Sequence, residues 1–241
     1  MKILQHYLLS LIALFGVVLV QAQTADEIIA KHIEASGGKD KINQIKSIYI
    51  ESTIQVMGND APSTTTILNG KGFRSESEFN GQKVIQVYTD KGGWAVNPFA
   101  GGSDAQAMPD GQYKAGRDQI FIGGPLYDYA SKGYKVEYLG MENVGTVSNY
   151  KLKLVAPDSS FTTFYIDPTT YYISKIVKTT NMMGQDMVLT ISLSNYQKTD
   201  FGYTVPFGTE TSFGEQFTMS GTVKKVEFNK DVDPKIFDMP K

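Results

Sequence analysis

The sequence predicts a mostly β protein of the α+β class, and three observations predict it. Long stretches place apolar residues in period two and are cut at short intervals by Gly, Pro, Asn and Asp, the pattern of an antiparallel meander. An amphipathic helix precedes them. An interval of mixed spacing, Asn97 to Gly133, divides them into two groups.

With 241 residues, 41% hydrophobic and 12% aromatic, the chain has enough apolar material for one large β domain. Met1 to Ala22 reads as a secretory leader: Lys2 gives the positive end, Leu8 to Val20 the apolar core, and Val20-Gln21-Ala22 the small-residue cleavage site. The expected division is a leader over residues 1–22 and a single domain over residues 23–241. The apolar core of the leader is short for a membrane span, so no transmembrane segment is expected. The chain has no cysteine, which leaves no thiol for a lipid anchor or a disulfide. The expected location is outside the cytoplasm, soluble in a bacterial periplasm or secreted, and the expected state is a monomer. The 23 basic and 25 acidic residues are dispersed, so no nucleic-acid partner is expected from charge.

Thr24-Ala-Asp-Glu27 has the form of a capping box, and Ile28, Ile29 and Ile33 give the helix an apolar stripe until Gly37-Gly38 stops it. Ile42 and Ile45 predict one further short turn. From Ser47 the period changes to two: Ile48, Ile50, Ile54 and Val56 share a face. Gly58-Asn-Asp60 is the expected turn into a strand over Ser63 to Leu68. Asn69-Gly70 and Asn80-Gly81 are hairpin turns around the strand that carries Phe73 and Phe79. Lys83 to Thr89 and Gly93 to Val96 complete the first group.

In the interval from Asn97 to Gly133 one or two short helices are expected, and its length between two meanders predicts a lid. Strands resume at Tyr134 to Met141, Asn149 to Val155 and Phe161 to Ile166. Asp167-Pro-Thr-Thr170 turns the chain into Tyr171 to Val177, and Asn181-Met-Met-Gly184 turns it into Met187 to Leu193. Met187, Leu189, Ile191 and Leu193 lie on one face of that last strand, so the sheet is one-sided there. Another sheet, a helix or a ligand must cover that face. Phe217 to Val223 and Val226 to Phe228 form the final long strand, and Ile236 and Phe237 dock the tail. The count is about ten or eleven strands.

Catalytic equipment is sparse. His32 is the one histidine outside the leader, and without cysteines it reads as a helix-face side chain rather than part of a zinc or nucleophile site. Glu51, Glu76, Glu78, Asp186 and Glu227 sit on strands where a carboxylate pair would permit hydrolysis, although alternation alone puts charge on an outer face. Gly70-Lys-Gly72 and Gly92-Gly93 read as turns, not phosphate loops. No cofactor or metal is expected. Trp94 suits a core or a cavity wall, and Met182, Met183 and Met187 suit an adaptable apolar site or a core.

Three stretches resemble the LolA and LolB lipoprotein-carrier family. They are Phe73-Arg74 with Val84-Ile-Gln-Val-Tyr-Thr-Asp90 and Trp94-Ala-Val-Asn-Pro98; Tyr150-Lys-Leu-Lys-Leu154 with Phe164-Tyr-Ile-Asp-Pro168 and Ile173-Ser-Lys175; and the ending Val232-Asp-Pro-Lys-Ile-Phe-Asp-Met-Pro240. The resemblance implies an incomplete antiparallel barrel around a hydrophobic cavity, covered by the N-terminal helix and a mid-chain helical lid. It implies a non-enzymatic carrier or sensor whose partner is a lipid or lipoprotein acyl chain, with an envelope protein as a second candidate partner. The chain departs from the pattern in having only Arg74 and Arg117 as arginines and a long mid-chain interval, and the missing cysteine argues against a membrane-anchored acceptor of the LolB type. The candidate cavity or lid residues are Ile50, Ile54, Trp94, Ile120, Phe121, Leu126, Tyr127, Met182, Met183, Leu189 and Ile191. Two other readings stand beside this one: an exported protein-binding module with a packed barrel and no lipid, and a carboxylate-dependent hydrolase.

Overall fold

A computed structural model describes residues 23–100, 102–182, 185–214 and 217–240. The leader expected over residues 1–22 lies outside them, as do Met183 and Gly184 of the turn before Met187.

Helix α1 (Ala25–Ala35) begins at a complete capping box: the Glu27 amide donates to Thr24 Oγ1 at 3.2 Å and the Thr24 amide to Glu27 Oε2 at 2.9 Å. Helix α2 (Lys39–Gln44) follows after Gly37 and Gly38, both at positive φ. The first meander holds β1 (Ser47–Val56), β2 (Asn59–Leu68), β3 (Gly72–Phe79), β4 (Gln82–Thr89), β5 (Gly93–Asn97) and β6 (Gly102–Ala107). Helix α3 (Asp110–Gly116) and a 3₁₀ turn (Arg117–Ile120) come next. The second meander holds β7 (Lys135–Val144), β8 (Val147–Val155), β9 (Phe161–Ile166), β10 (Ile173–Met182), β11 (Gln185–Lys198), β12 (Thr204–Phe213) and β13 (Phe217–Phe228).

The described strands number thirteen rather than ten or eleven. The additions are β6, a run of small and polar residues, and β12, which contains Pro206 and Gly208. Proline fits there because the ladder to β13 begins only at Gly208, so Pro206 has one strand neighbour, β11. Strand β2 also starts earlier than the composition predicts, because the turn from β1 is Met57-Gly58, both at positive φ as a two-residue hairpin turn requires.

All thirteen strands form one antiparallel sheet in the order β6-β5-β4-β3-β2-β1-β13-β12-β11-β10-β9-β8-β7. Each meander is sequential, and β1 pairs with β13 at the centre. The sheet does not close: β6 and β7 are its edges, and the mid-chain segment carries the chain from one edge to the other. Bulges at Glu51/Ser52, Tyr138/Met141 and Ile173/Lys175 bend it.

The principal core lies on one face. Ile28, Ile29 and Ile33 of α1 and Ile42 of α2 meet Ile48 of β1, Leu152 and Leu154 of β8, Phe164 and Ile166 of β9, and Ile122 and Leu126 of the mid-chain segment. A second, smaller cluster of Val87, Trp94 and Phe237 lies on the opposite face, under the C-terminal tail. Gly72 makes the tail's seat, since a Cβ there would stand 2.5 Å from the Phe237 ring.

Candidate functional site

The mid-chain segment lies across the bent sheet. Helix α3 packs on β10, and the 3₁₀ turn touches β2, β3 and β4. Gly116 sets the approach at that junction: a Cβ would stand 2.3 Å from Cζ of Tyr88. Burial of Tyr88 pushes its phenol up to about 12.

Between this segment and the floor of β8 to β11 is a cavity of about 630 Å³. Leu154, Thr162, Phe164, Ile176, Lys178 and Ile191 contribute from the strands, and Ala115, Arg117, Asp118, Phe121, Pro125 and Tyr134 from the segment above. Register explains an apolar strip on the floor: Leu152, Phe164, Ile176 and Ile191 pair rung by rung across four strands and so share a face.

Polar and charged side chains share the lining with this strip, among them Lys114, Arg117, Asp118, Asp158, Lys178 and Asp186. Tyr134 donates to Asp118 Oδ2 at 2.6 Å, and burial together with that bond pushes the phenol up to about 12. Arg117 stands 4.0 Å from Asp158, and Lys114 pairs with Asp110 at 2.6 Å. Lys178 Nζ donates to the Ala115 carbonyl oxygen at 3.0 Å. Burial holds the Lys178 amine below its ordinary range, with Asp118 opposing.

The structure separates the candidate residues into groups. Phe121 and Ile191 line the cavity. Leu189 is partly buried on β11 opposite Lys178. Ile120 and Leu126 are buried, while Ile50 and Tyr127 pack against the principal core. Ile54 is partly buried further along β1. Met183 and the side chain of Met182 lie outside the described residues. Trp94 is on the other face, 5% exposed, donating from Nε1 to the Phe237 carbonyl at 2.8 Å with the Arg74 guanidinium over its ring.

Leu154, Phe164, Ile176 and Lys178 are lining residues that period-two reasoning does not single out. For Ile176 and Lys178 the reason is the bulge in β10. Ile173 pairs with Ile166 and Ile176 with Phe164, so residues three apart point the same way. Strict alternation puts them on opposite faces.

The carboxylates do not converge. Glu76 is shared by Arg74 at 2.8 Å and Lys83 at 2.7 Å, which holds it below the usual range. Glu227 is shared by Lys225 at 3.1 Å and Lys230 at 2.7 Å. Glu51 faces Lys225 across the β1–β13 ladder, Glu78 faces Lys83 across β3–β4, and Asp186 is at the cavity on β11. His32 is buried, with Nδ1 2.8 Å from the Tyr171 carbonyl oxygen, and burial lowers its pKa. Among the described residues no group of three or more His, Cys, Asp or Glu could hold a metal ion. No described helix is long and apolar enough to cross a membrane.

Comparison with known proteins defines the fold class. A DUF1329 family protein from Desulfovibrio piger superposes with a TM-score of 0.59 at 13% identity, covering 90% of this chain and 98% of that one. A LolA superfamily protein from Nitrosomonas europaea superposes with a TM-score of 0.58 at 14% identity, again covering 90% and 98%. At these identities the likeness is one of fold: the chain shares the fold of these two solved structures. No family model matches the sequence, and no curated protein does.

Proposed function

We propose that the protein is a non-enzymatic carrier or sensor, exported to the periplasm, that shelters a lipid or lipoprotein acyl chain in a single domain over residues 23–241. The observation that carries this reading is the cavity of about 630 Å³ between the mid-chain segment and a strand floor that holds an apolar strip of Phe164, Ile176 and Ile191. Its size lies within the roughly 300–1,000 Å³ of small-molecule sites. Each methylene moved from water into such a lining contributes about 0.8 kcal/mol, so a long chain binds without many polar contacts. The fold likeness supports the reading, as does the engagement of Glu76 and Glu227 in ion pairs rather than with each other.

Organic extraction of the purified protein, followed by mass spectrometry, tests it together with uptake of a fluorescent fatty acid. A co-purified lipid or saturable uptake is the expected result. A lipid-free protein that takes up no probe overturns the carrier and leaves a protein-binding module.

A further inference from the structure

Resting on the carrier reading, we propose that the cavity's ligand is a long-chain carboxylate whose head group meets the Lys178 ammonium and whose chain lies along Ile176, Ile191, Phe164 and Phe121.

The first support is placement. Lys178 stands two residues beyond Ile176 on the same strand, and in the ladder Lys178 faces Leu189 while Ile176 faces Ile191. One cation therefore sits a single repeat from an apolar strip, the layout that suits an amphiphile with one charged end. The second support is what the other cations are doing. Lys114 is paired with Asp110, and Arg117 lies near Asp158. Lys178 forms no ion pair among the described residues, and its ammonium, which has three donors, gives one to Ala115. Burial already disfavours that ammonium, so an anion brought beside it relieves a cost as well as making a charge-assisted bond.

The third support concerns the charge of the guest. Asp118 lines the same cavity, close enough to Lys178 for its charge to act on the ammonium. A phosphate monoester carries about −1.5 to −2 at neutral pH and is repelled by that carboxylate more than a monoanion is. A single lysine beside a monoanion matches in charge. The competing explanation of Lys178 is structural: a cation near the C-terminal end of α3, holding a terminal carbonyl.

The experiment separates these possibilities with the full chain, stripped of lipid and titrated calorimetrically with dodecanoate, 1-dodecanol and dodecyl phosphate. Dodecanoate is expected to bind at least about tenfold more tightly than dodecanol, as a charge-assisted hydrogen bond provides, and more tightly than dodecyl phosphate. Lys178→Met is expected to bring dodecanoate within about twofold of dodecanol while dodecanol binding is unchanged, and Lys178→Arg to keep the preference. Equal binding of acid and alcohol by the unmodified protein overturns the head-group assignment and leaves the carrier standing. Tightest binding of the phosphate overturns the choice of carboxylate. Equal loss of both ligands in Lys178→Met shows that the lysine only secures α3 and overturns its role in recognition. Binding of none of the three overturns the carrier reading, and this proposal with it. The comparison among ligands on the unmodified protein decides the matter even where a variant fails to fold.

Discussion

The indole Nε1 of Trp94 donates a 2.8 Å hydrogen bond to the carbonyl oxygen of Phe237, 143 residues later in the chain. That bond fastens the C-terminal 3₁₀ turn (Pro234–Phe237) to the face of the first meander that points away from the cavity.

Since Trp94 is the one tryptophan, it reports on the tail and not on the cavity. Its emission is expected to stay within noise when an amphiphile binds. Phe237→Ala is expected to shift the emission to longer wavelength and to cost about 3 kcal/mol, the usual consequence of emptying a phenylalanine site. Fluorescence titration and urea unfolding check both. A lipid-dependent shift with the tail intact contradicts the placement of Trp94.

Gly116 leaves no room for a side chain beside Tyr88. Gly116→Ala is expected to cost about 1–3 kcal/mol through overpacking against a buried ring. Tyr88→Leu in the same chain is expected to recover part of that cost, since two residues in contact are not additive. Hydrogen exchange should place the effect in α3 and the 3₁₀ turn. Unchanged protection there in Gly116→Ala would show that the junction is loosely packed.

Core and cavity are expected to respond differently to substitution. Leu152→Ala, at a fully buried position, should lose about 2–5 kcal/mol of stability. Ile191→Trp, on the cavity floor, should leave thermal unfolding nearly unchanged while blocking uptake of a fluorescent fatty acid. Intact uptake in Ile191→Trp would place the bound chain elsewhere.

His32 makes stability depend on pH. Its pKa is lowered by burial, with the bond to Tyr171 opposing, so the unfolded chain takes up a proton before the folded one does as the solution is acidified. Stability is therefore complete above about pH 6.5 and falls as pH drops below it. The carboxylates held low by lysines, such as Glu76 and Glu142, add losses only at more acidic pH. Urea unfolding at pH 8 and pH 5.5 is expected to show the decline in the unmodified protein and to lack it in His32→Gln. An identical decline in His32→Gln would assign it to another group.

Much of the fold is legible because its signals are local. Thr24 and Glu27 complete a box within one turn, and Asn80-Gly81 takes the positive φ values that the dipeptide prefers. Strands β6 and β12 escape such reading. The first has no apolar side chain larger than alanine, and the second carries a proline that only an incomplete ladder admits.

The sequence by itself determined the antiparallel character and the break between two meanders, though not that β6 lies within that break, because hydrogen-bonding period and turn chemistry are properties of neighbouring residues. Only the tertiary structure decided which side chains share a cavity. The bulge in β10 turns Ile173 and Ile176 to the same side, and the pairing of β1 with β13 makes the interval cross from one sheet edge to the other. The first is a register shift against the neighbouring strand β9 and the second joins strands from the two ends of the domain, and no local period encodes either.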